Sequence, residues 1–457
     1  MRPYFSSEEM TAAVAHGIEA SAFPDRTGSK IRLIPHPTGE GFICPAFDVE
    51  TNRCRIYPVR PLDCRLYPFA VMRPPHGDEV LLGWDRKCPY LREETDRMLP
   101  LSVSSEIARQ LQQGDEPSVL TRHPGLIGAF QEDVWVMEPL SAMRAPGSIR
   151  MEPPDPRLTT MAAADYSKLQ EACQAHRSGE FSTSVASTLL MWQPLIRLWW
   201  ARIEGGACVV AEQAGTFFLP IPPFTTDLIP ATASALGLLN RLNPNPAVSR
   251  IERLSEAQMQ KLKGAGFSCR WQGEEFIYER KALVELSGGL YKGQRGNYNR
   301  AQRSYHPRYE PYSSSDRDEC LKIYARWRTA KEQKNPGPYA SALLADSFYA
   351  HWMALTHWEE WGLTARIAKV GSASGGKIAA YTVGAPISSE LFLVLLEIAD
   401  PDYPGLGGYL FREFCREMGS YEWINTMDDS DLSSLRQSKQ YYRPARRIPF
   451  FGVTSKS

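Results

Sequence analysis

The sequence predicts an α+β protein, a small cysteine-rich module followed by a larger region of mixed α and β order. Three observations predict it. Cys44, Cys54, Cys64 and Cys88 crowd into a short stretch, while the other five of the nine cysteines are scattered singly. Residues 139–159 hold Pro139, Pro146, Pro153, Pro154 and Pro156, which break any regular element. Beyond them, strand-like and helix-like runs alternate without an internal repeat, so no solenoid is expected. A chain of 457 residues also exceeds one ordinary core. The division is therefore 1–138 for the cysteine module with a helical tail near Ser104–Gln113, 139–159 for a linker, and 160–457 for the mixed region.

The elements of the mixed region follow from local signals. Asp165–His176 reads as a helix, and Ala207–Glu212 with Thr216–Ile221 as a hairpin. Ser255 and Gln258 form a capping box for a helix that stops at Gly264. Glu275–Arg280 reads as a strand. Ser315 with Asp318 caps a helix through Trp327. Ala365–Val370, Lys377–Val383 and Leu391–Glu397 read as three strands, followed by the glycine turn Gly405-Leu-Gly407-Gly408 and a helix over Tyr409–Met418. Glycines at a helix start let backbone N–H groups approach an anion. The spacing here matches neither a Walker A loop nor a dinucleotide fingerprint.

Clustered cysteines form disulfides or bind metal. The N-terminus carries early acidic residues and no apolar core of a signal peptide, so a reducing cytoplasm and a metal site are expected. Zinc knuckles use closely spaced cysteine pairs. Here the first three cysteines are ten apart, so ligands would come from separate loops, which suits zinc or an iron–sulfur centre. Arg55, Arg60 and Arg65 stand beside the thiols in sequence, either favouring thiolates or lying on a solvated surface.

The run Cys54-Arg-Ile-Tyr-Pro-Val-Arg60-Pro61-Leu-Asp-Cys64-Arg-Leu-Tyr-Pro68-Phe69 resembles the cysteine-rich zinc- or iron-chelating (YkgJ-like) domain family. Cys44 and Cys88 fall where that family places its preceding and trailing cysteines. The resemblance implies a metal held by Cys44, Cys54, Cys64 and Cys88. The family's Cys-x-x-Cys-Cys group has no counterpart in this sequence, so the nuclearity of the centre stays open.

Composition narrows the function classes. Hydrophobic content of 43% with balanced charge, 52 basic against 52 acidic residues, is that of a globular protein. The longest apolar run, Leu391–Leu396, is far too short to span a bilayer, leaving at most peripheral membrane contact. Charge is uneven, however. Residues 288–308 contain Lys292, Arg295, Arg300, Arg303 and Arg308 and no acid, and residues 432–451 contain Arg436, Lys439, Arg443, Arg446 and Arg447 and no acid. Two such stretches in a neutral chain fit a local anion site, or simply solvated faces, rather than general DNA affinity.

The segment Leu286-Ser-Gly288-Gly-Leu-Tyr-Lys292-Gly-Gln-Arg295-Gly-Asn297-Tyr-Asn299-Arg300 is similar to one in the C-terminal region of phosphatidylglycerol lysyltransferases. Asn425, Asp429, Leu435, Arg436 and Lys439 repeat that region's closing phrase, and Trp192 fits its opening helix. The resemblance implies tandem acetyltransferase-like (GNAT) folds. It also implies transfer of an aminoacyl or acyl group from a phosphate-bearing donor, aminoacyl-tRNA or acyl-CoA, to an amine or hydroxyl. The membrane-spanning half of the lipid enzymes is absent from this sequence, and Gln294 and Asp428 depart from the family pattern. Such chemistry needs a proton acceptor and donors for a developing oxyanion. Asp429, Glu397 and Lys439 are the catalytic candidates, with Asp400 as a further carboxylate. Lys292, Arg295, Asn297, Arg300, Asn425, Arg436, Gly405 and Gly407 are the substrate-binding candidates. Asp429 with Arg436 also reads as a plain ion pair. A non-catalytic metal- or redox-sensing assembly protein is the alternative function, and a reactive cysteine module served by the larger region is a third.

Overall fold

The computed structural model describes residues 2–39, 41–73, 79–85, 106–112, 120, 123–128, 134–144, 153–176, 180–193, 195–213, 215–334, 338–371 and 376–455. The chain divides into two compact units, 1–151 and 152–457.

In the smaller unit, Ser6 and Glu9 form a capping box that starts the helix Ser7–Ala15. Glu9 has a second task. Its Oε1 accepts the Leu62 N–H at 2.7 Å, while Asp63 accepts the Tyr4 N–H at 2.8 Å, fastening the helix Leu62–Leu66 to the N-terminus. Phe5, Ile31 and Ile56 are buried here, and Cys44, Cys54 and Val59 pack against them. A three-stranded antiparallel sheet joins Phe69–Met72, Glu79–Asp85 and Val134–Arg144.

That last strand corrects the expected linker. Pro139 lies within it, opposite Leu81, on the outer strand of the sheet, where a residue without an N–H is tolerated. At the far end, Leu158–Thr160 pairs with Arg197–Ile203 and belongs to the larger unit. Strands thus occupy both ends of the range 139–159.

The larger unit carries two sheets in succession. The first orders Leu158–Thr160, Arg197–Ile203, Gly206–Gln213 and Thr216–Phe218, with Phe224–Thr225 also on Gly206–Gln213. The helix Leu228–Leu242 buries Ala235, Leu236, Leu238 and Leu239 in this half's core. The second sheet has eight strands in the order Ile251–Leu254, Arg446–Thr454, Ser268–Glu279, Trp423–Asn425, Leu391–Ala399, Lys377–Pro386, Thr364–Val370 and Arg308–Pro311. The final strand of the chain thus inserts beside Ile251–Leu254, and Val453 reaches the core of the first half.

Most expected elements are present with shifted ends. The Ser255–Gln258 capping box opens the helix Glu256–Gly264 as the sequence predicts. The long helix Arg317–Lys334 is preceded by a single turn capped by Ser313 and Asp316, not Ser315 and Asp318. The helix after the glycine turn is Leu406–Glu417, with Gly405 as its N-cap at φ +94°. A Cβ on Gly405 would stand 2.5 Å from the Asn297 carbonyl oxygen. Gly405→Ala is therefore expected to cost about 2 kcal/mol or more, combining left-handed strain with a backbone clash. A thermal-denaturation midpoint unchanged from wild type would contradict this.

Candidate active site

One pair of strands breaks the antiparallel pattern. Leu391–Ala399 and Trp423–Asn425 run parallel and pair only from Leu391↔Trp423 to Leu393↔Asn425. Past that point the strands part. A cavity of about 450 Å³ lies there, with Val394–Ile398 on one side and Thr426, Met427 and Asp428 on the other. The helix Ser433–Tyr441 contributes Leu435, Ser438 and Lys439, and the helices Arg317–Lys334 and Pro338–Thr356 supply a largely apolar wall.

Two ionisable groups in this cavity are displaced toward each other. Burial pushes the Glu397 carboxyl up to about 8, and the nearby Lys439 charge only partly opposes it. Burial pulls the Lys439 ammonium down to about 8, against the fields of Asp428, Glu275, Asp429 and Glu397. The Glu397 residue keeps some exposure toward the cavity, yet its Oε2 is buried and has no hydrogen-bond partner. Lys439 Nζ, in contrast, donates to Thr426 Oγ1 at 3.2 Å, to the Met427 carbonyl at 3.4 Å and to the Thr426 carbonyl. It fixes the loop and places a positive charge beside Glu397. An acid and a base brought near neutrality in one apolar cleft have the chemistry that proton transfer requires.

The loop is held from below by a buried network. Glu275 accepts from the Ser182 N–H at 2.9 Å, the Ser182 hydroxyl at 2.6 Å, Asn425 Nδ2 at 2.7 Å and Arg253 at 3.3 Å. Arg253 also bonds Asp428. Burial works to raise the Asp428 carboxyl, but the Arg253 guanidinium and the Ser430 N–H outweigh it and hold it below the usual range. Asn425 is fully buried, and its Oδ1 accepts the Met427 N–H at 2.6 Å. Its amide is occupied in supporting the loop, so the geometry gives it a positioning place where the sequence suggested substrate contact.

Other expected residues distribute as follows. Asp429 follows the strand Trp423–Asn425 and is not among the cavity-lining residues. Its carboxylate holds Arg436 Nε and the Asp431 N–H at 3.1 Å, which is the ion-pair reading of that pair. Arg436 is 44% exposed in its side chain and does not line the cavity, while Lys439 does. Asp400 is held by Arg326 at 2.7 Å. Arg295 donates to the carbonyls of Gly288, at 2.7 Å, and Leu286, closing the helix Arg280–Glu285, and so has bonds other than to an anion. Lys292 and Arg300 are exposed and Asn297 half-buried on the helix Lys292–Tyr305. Gly407 lies near Glu397, since a Cβ there would be 3.8 Å from Oε1. The two basic stretches meet. Gln294 donates to the Tyr441 carbonyl, and Gly293 packs closely on the Tyr441 hydroxyl.

In the cysteine module, Cys44, Cys54 and Cys64 are free, half-buried thiols. Burial and the charges of Asp63, Cys44 and Cys54 push the Cys64 thiol up to about 12, against the pull of Arg60. Burial likewise raises Cys44, with Cys54 adding and Arg55 subtracting. The expected arginine effect exists, but burial and mutual repulsion exceed it. Three free thiols that feel one another are the donor chemistry a soft cation requires. Among the described residues, no three His, Cys, Asp or Glu side chains are arranged to hold an ion, and Cys88 lies outside the described residues.

Residues 177–454 match the family model described as phosphatidylglycerol lysyltransferase, C-terminal. The chain belongs to this family. Residues 3–89 match the CxxCxxCC family of zinc- or iron-chelating domains. A conserved protein of unknown function from Bacteroides thetaiotaomicron is similar over 65% of this chain and 99% of its own, at 22% identity and a TM-score of 0.57. L-PGS from Bacillus licheniformis is similar over 67% of this chain and 94% of its own, at 16% identity and a TM-score of 0.45. The Bacteroides likeness is one of fold. The lysyltransferase-family region is an α+β unit of two successive sheets, and residues 3–89 before it match a zinc- or iron-chelating domain family. Among the described residues, no helix is long and apolar enough to cross a membrane.

Within the lysyltransferase-family region, sequence reasoning missed Arg253, Glu275, Ser182 and the cavity-lining Tyr324, Trp327 and His351. The one available signal was Glu275, a charged residue at the start of the apolar run Phe276-Ile277-Tyr278.

Proposed function

We propose that the larger unit is an aminoacyl or acyl transferase whose reaction takes place in the cavity between the parted strands. Family membership supports transferase chemistry. The observation that carries the site is the Glu397–Lys439 pair, with one carboxylate oxygen left unpartnered in an apolar cleft. Glu397 accepts the proton from the acceptor's amine or hydroxyl as that nitrogen or oxygen bonds to the donor's carbonyl carbon. The carbonyl–oxygen ester bond of an aminoacyl-tRNA, or the carbonyl–sulfur bond of an acyl-CoA, then breaks. The proton held by Glu397 passes to the leaving oxygen or sulfur. Lys439 stabilises negative charge on Glu397 and, through the loop it fixes, shapes the site. The exposed cations Lys292 and Arg300, beside the glycine turn of Gly405 and Gly407, take the donor's phosphates.

The test supplies purified full chain with labelled aminoacyl-tRNA or labelled acetyl-CoA. Label is then followed into aqueous amines and into extractable lipid from phosphatidylglycerol vesicles. Transfer from either donor above the uncatalysed rate is expected, and none from both would refute the assignment.

Cys44, Cys54, Cys64 and Cys88 would supply the thiolates that hold zinc or iron in the accessory module, a reading supported by the chelating-domain family that residues 3–89 match. Elemental analysis of anaerobically purified chain is expected to find zinc or iron, and Cys54→Ser to lower its occupancy by at least half. Equal metal content in the variant would count against this ligand set.

A further inference from the structure

We propose that the group this cavity receives bears an apolar or aromatic side chain, and that lysyl and arginyl groups are rejected. The proposal rests on the transferase reading and names its substrate class.

The wall opposite the Asp428 loop comes from the helices Arg317–Lys334 and Pro338–Thr356, with Tyr324, Trp327, Leu343, Leu344 and Ala350 lining it. Its hydroxyls are already matched within the protein. The Tyr324 hydroxyl donates to the Leu344 carbonyl at 2.6 Å, and the Ser347 hydroxyl to the Leu343 carbonyl at 2.8 Å. His351 Nδ1 is 2.9 Å from the Tyr381 hydroxyl, and burial pulls the ring down to about 3, so it stays neutral. The acids Glu332 and Asp346 of the same helices do not line the cavity, and Glu332 is bound by Arg328 at 3.1 Å.

A count of charge decides the class. Among the described lining residues the carboxylates are Glu397 and Asp428, and Asp428 is matched by Arg253. Glu397 stands beside the Lys439 ammonium, so no lining carboxylate is left for a further cation. A lysyl or arginyl side chain brings a cation to a wall that has no carboxylate for it, and burying an unpaired cation is strongly unfavourable. A leucyl, methionyl or phenylalanyl side chain meets aromatic and aliphatic surface instead, in a cavity of a size usual for small ligands.

The test is calorimetric titration of the full chain with amide-linked 3′-aminoacylamino-3′-deoxyadenosines, hydrolysis-resistant mimics of an aminoacylated tRNA end. Leucyl and phenylalanyl forms are expected to bind at least about 10-fold tighter than lysyl and arginyl forms. Ser347→Asp and, separately, Leu343→Glu, each placing a carboxylate in the wall, are expected to shrink or invert that ratio. A lysyl form binding as tightly as the leucyl form overturns this inference and leaves the transferase reading standing. Binding by none of the forms removes this inference and the aminoacyl-tRNA donor with it, while the acyl-CoA form of the transferase reading is decided by the transfer assay.

Discussion

Glu397→Gln is expected to lower the transfer rate by about 100- to 10,000-fold with little change in KM, the usual loss when a general base is removed. The glutamine keeps the shape of the side chain but cannot take a proton. The wild-type rate is expected to peak near pH 8, since Glu397 must be ionised and Lys439 protonated, and both titrate near that value. The variant loses the acid limb of that profile. Stability separates this role from a structural one. The Glu397 carboxyl titrates near 8 in the folded chain, above its ordinary 4.5. Between those values the folded state holds a proton that the unfolded state has released, so the stability from Glu397 is complete below 4.5 and declines as pH rises to 8. Above pH 8 the folded chain carries a buried charge that the glutamine lacks. Glu397→Gln is therefore expected to be more stable than wild type at pH 9, by ~2–4 kcal/mol. Full activity in the variant, or a stability difference that does not vary with pH, would sink the assignment.

Glu275→Ala is expected to destabilise the larger unit by about 3–5 kcal/mol, because it strips a buried ion-pair network of its acceptor. The Ser182 N–H and hydroxyl and one arm of Arg253 would lose their acceptor at once, and the Asn425 amide would keep only the Glu180 carbonyl. Arg253 would keep Asp428 but be less well neutralised. Glu275→Gln, which retains an acceptor oxygen, is expected to cost roughly half as much. Urea unfolding followed by tryptophan fluorescence measures both. Activity should fall as well, since Asn425 and Asp428 shape the loop beside Glu397. A loss under about 1 kcal/mol for the alanine variant would show that the network is not a keystone.

The ion pair of Asp429 with Arg436 illustrates how a motif can mark a place without marking the chemistry. Asp429 and Arg436 belong to the closing phrase that locates the loop, but their charges neutralise each other outside the cavity. Lys439, three residues on and offset by only about 60° around the same helix, reaches the edge of the cavity that Arg436 does not line.

Local chemistry in the sequence settled the elements and their order. Capping residues such as Ser255 and Gln258, the apolar run before Glu397, the glycine turn at Gly405 and the evenly spaced Cys44, Cys54 and Cys64 all act over a few residues, and each is readable there. Family membership was equally legible, because motif spacing is itself a property of the chain. The working state of each side chain was decided elsewhere. Glu397 and Lys439 are displaced toward neutrality by burial beneath segments far away in sequence, and Glu275 collects donors from residues 182, 253 and 425. Desolvation and ion pairing depend on what surrounds a group in space, so only the tertiary structure could distinguish the matched carboxylates of Asp428 and Asp429 from the unpartnered oxygen of Glu397.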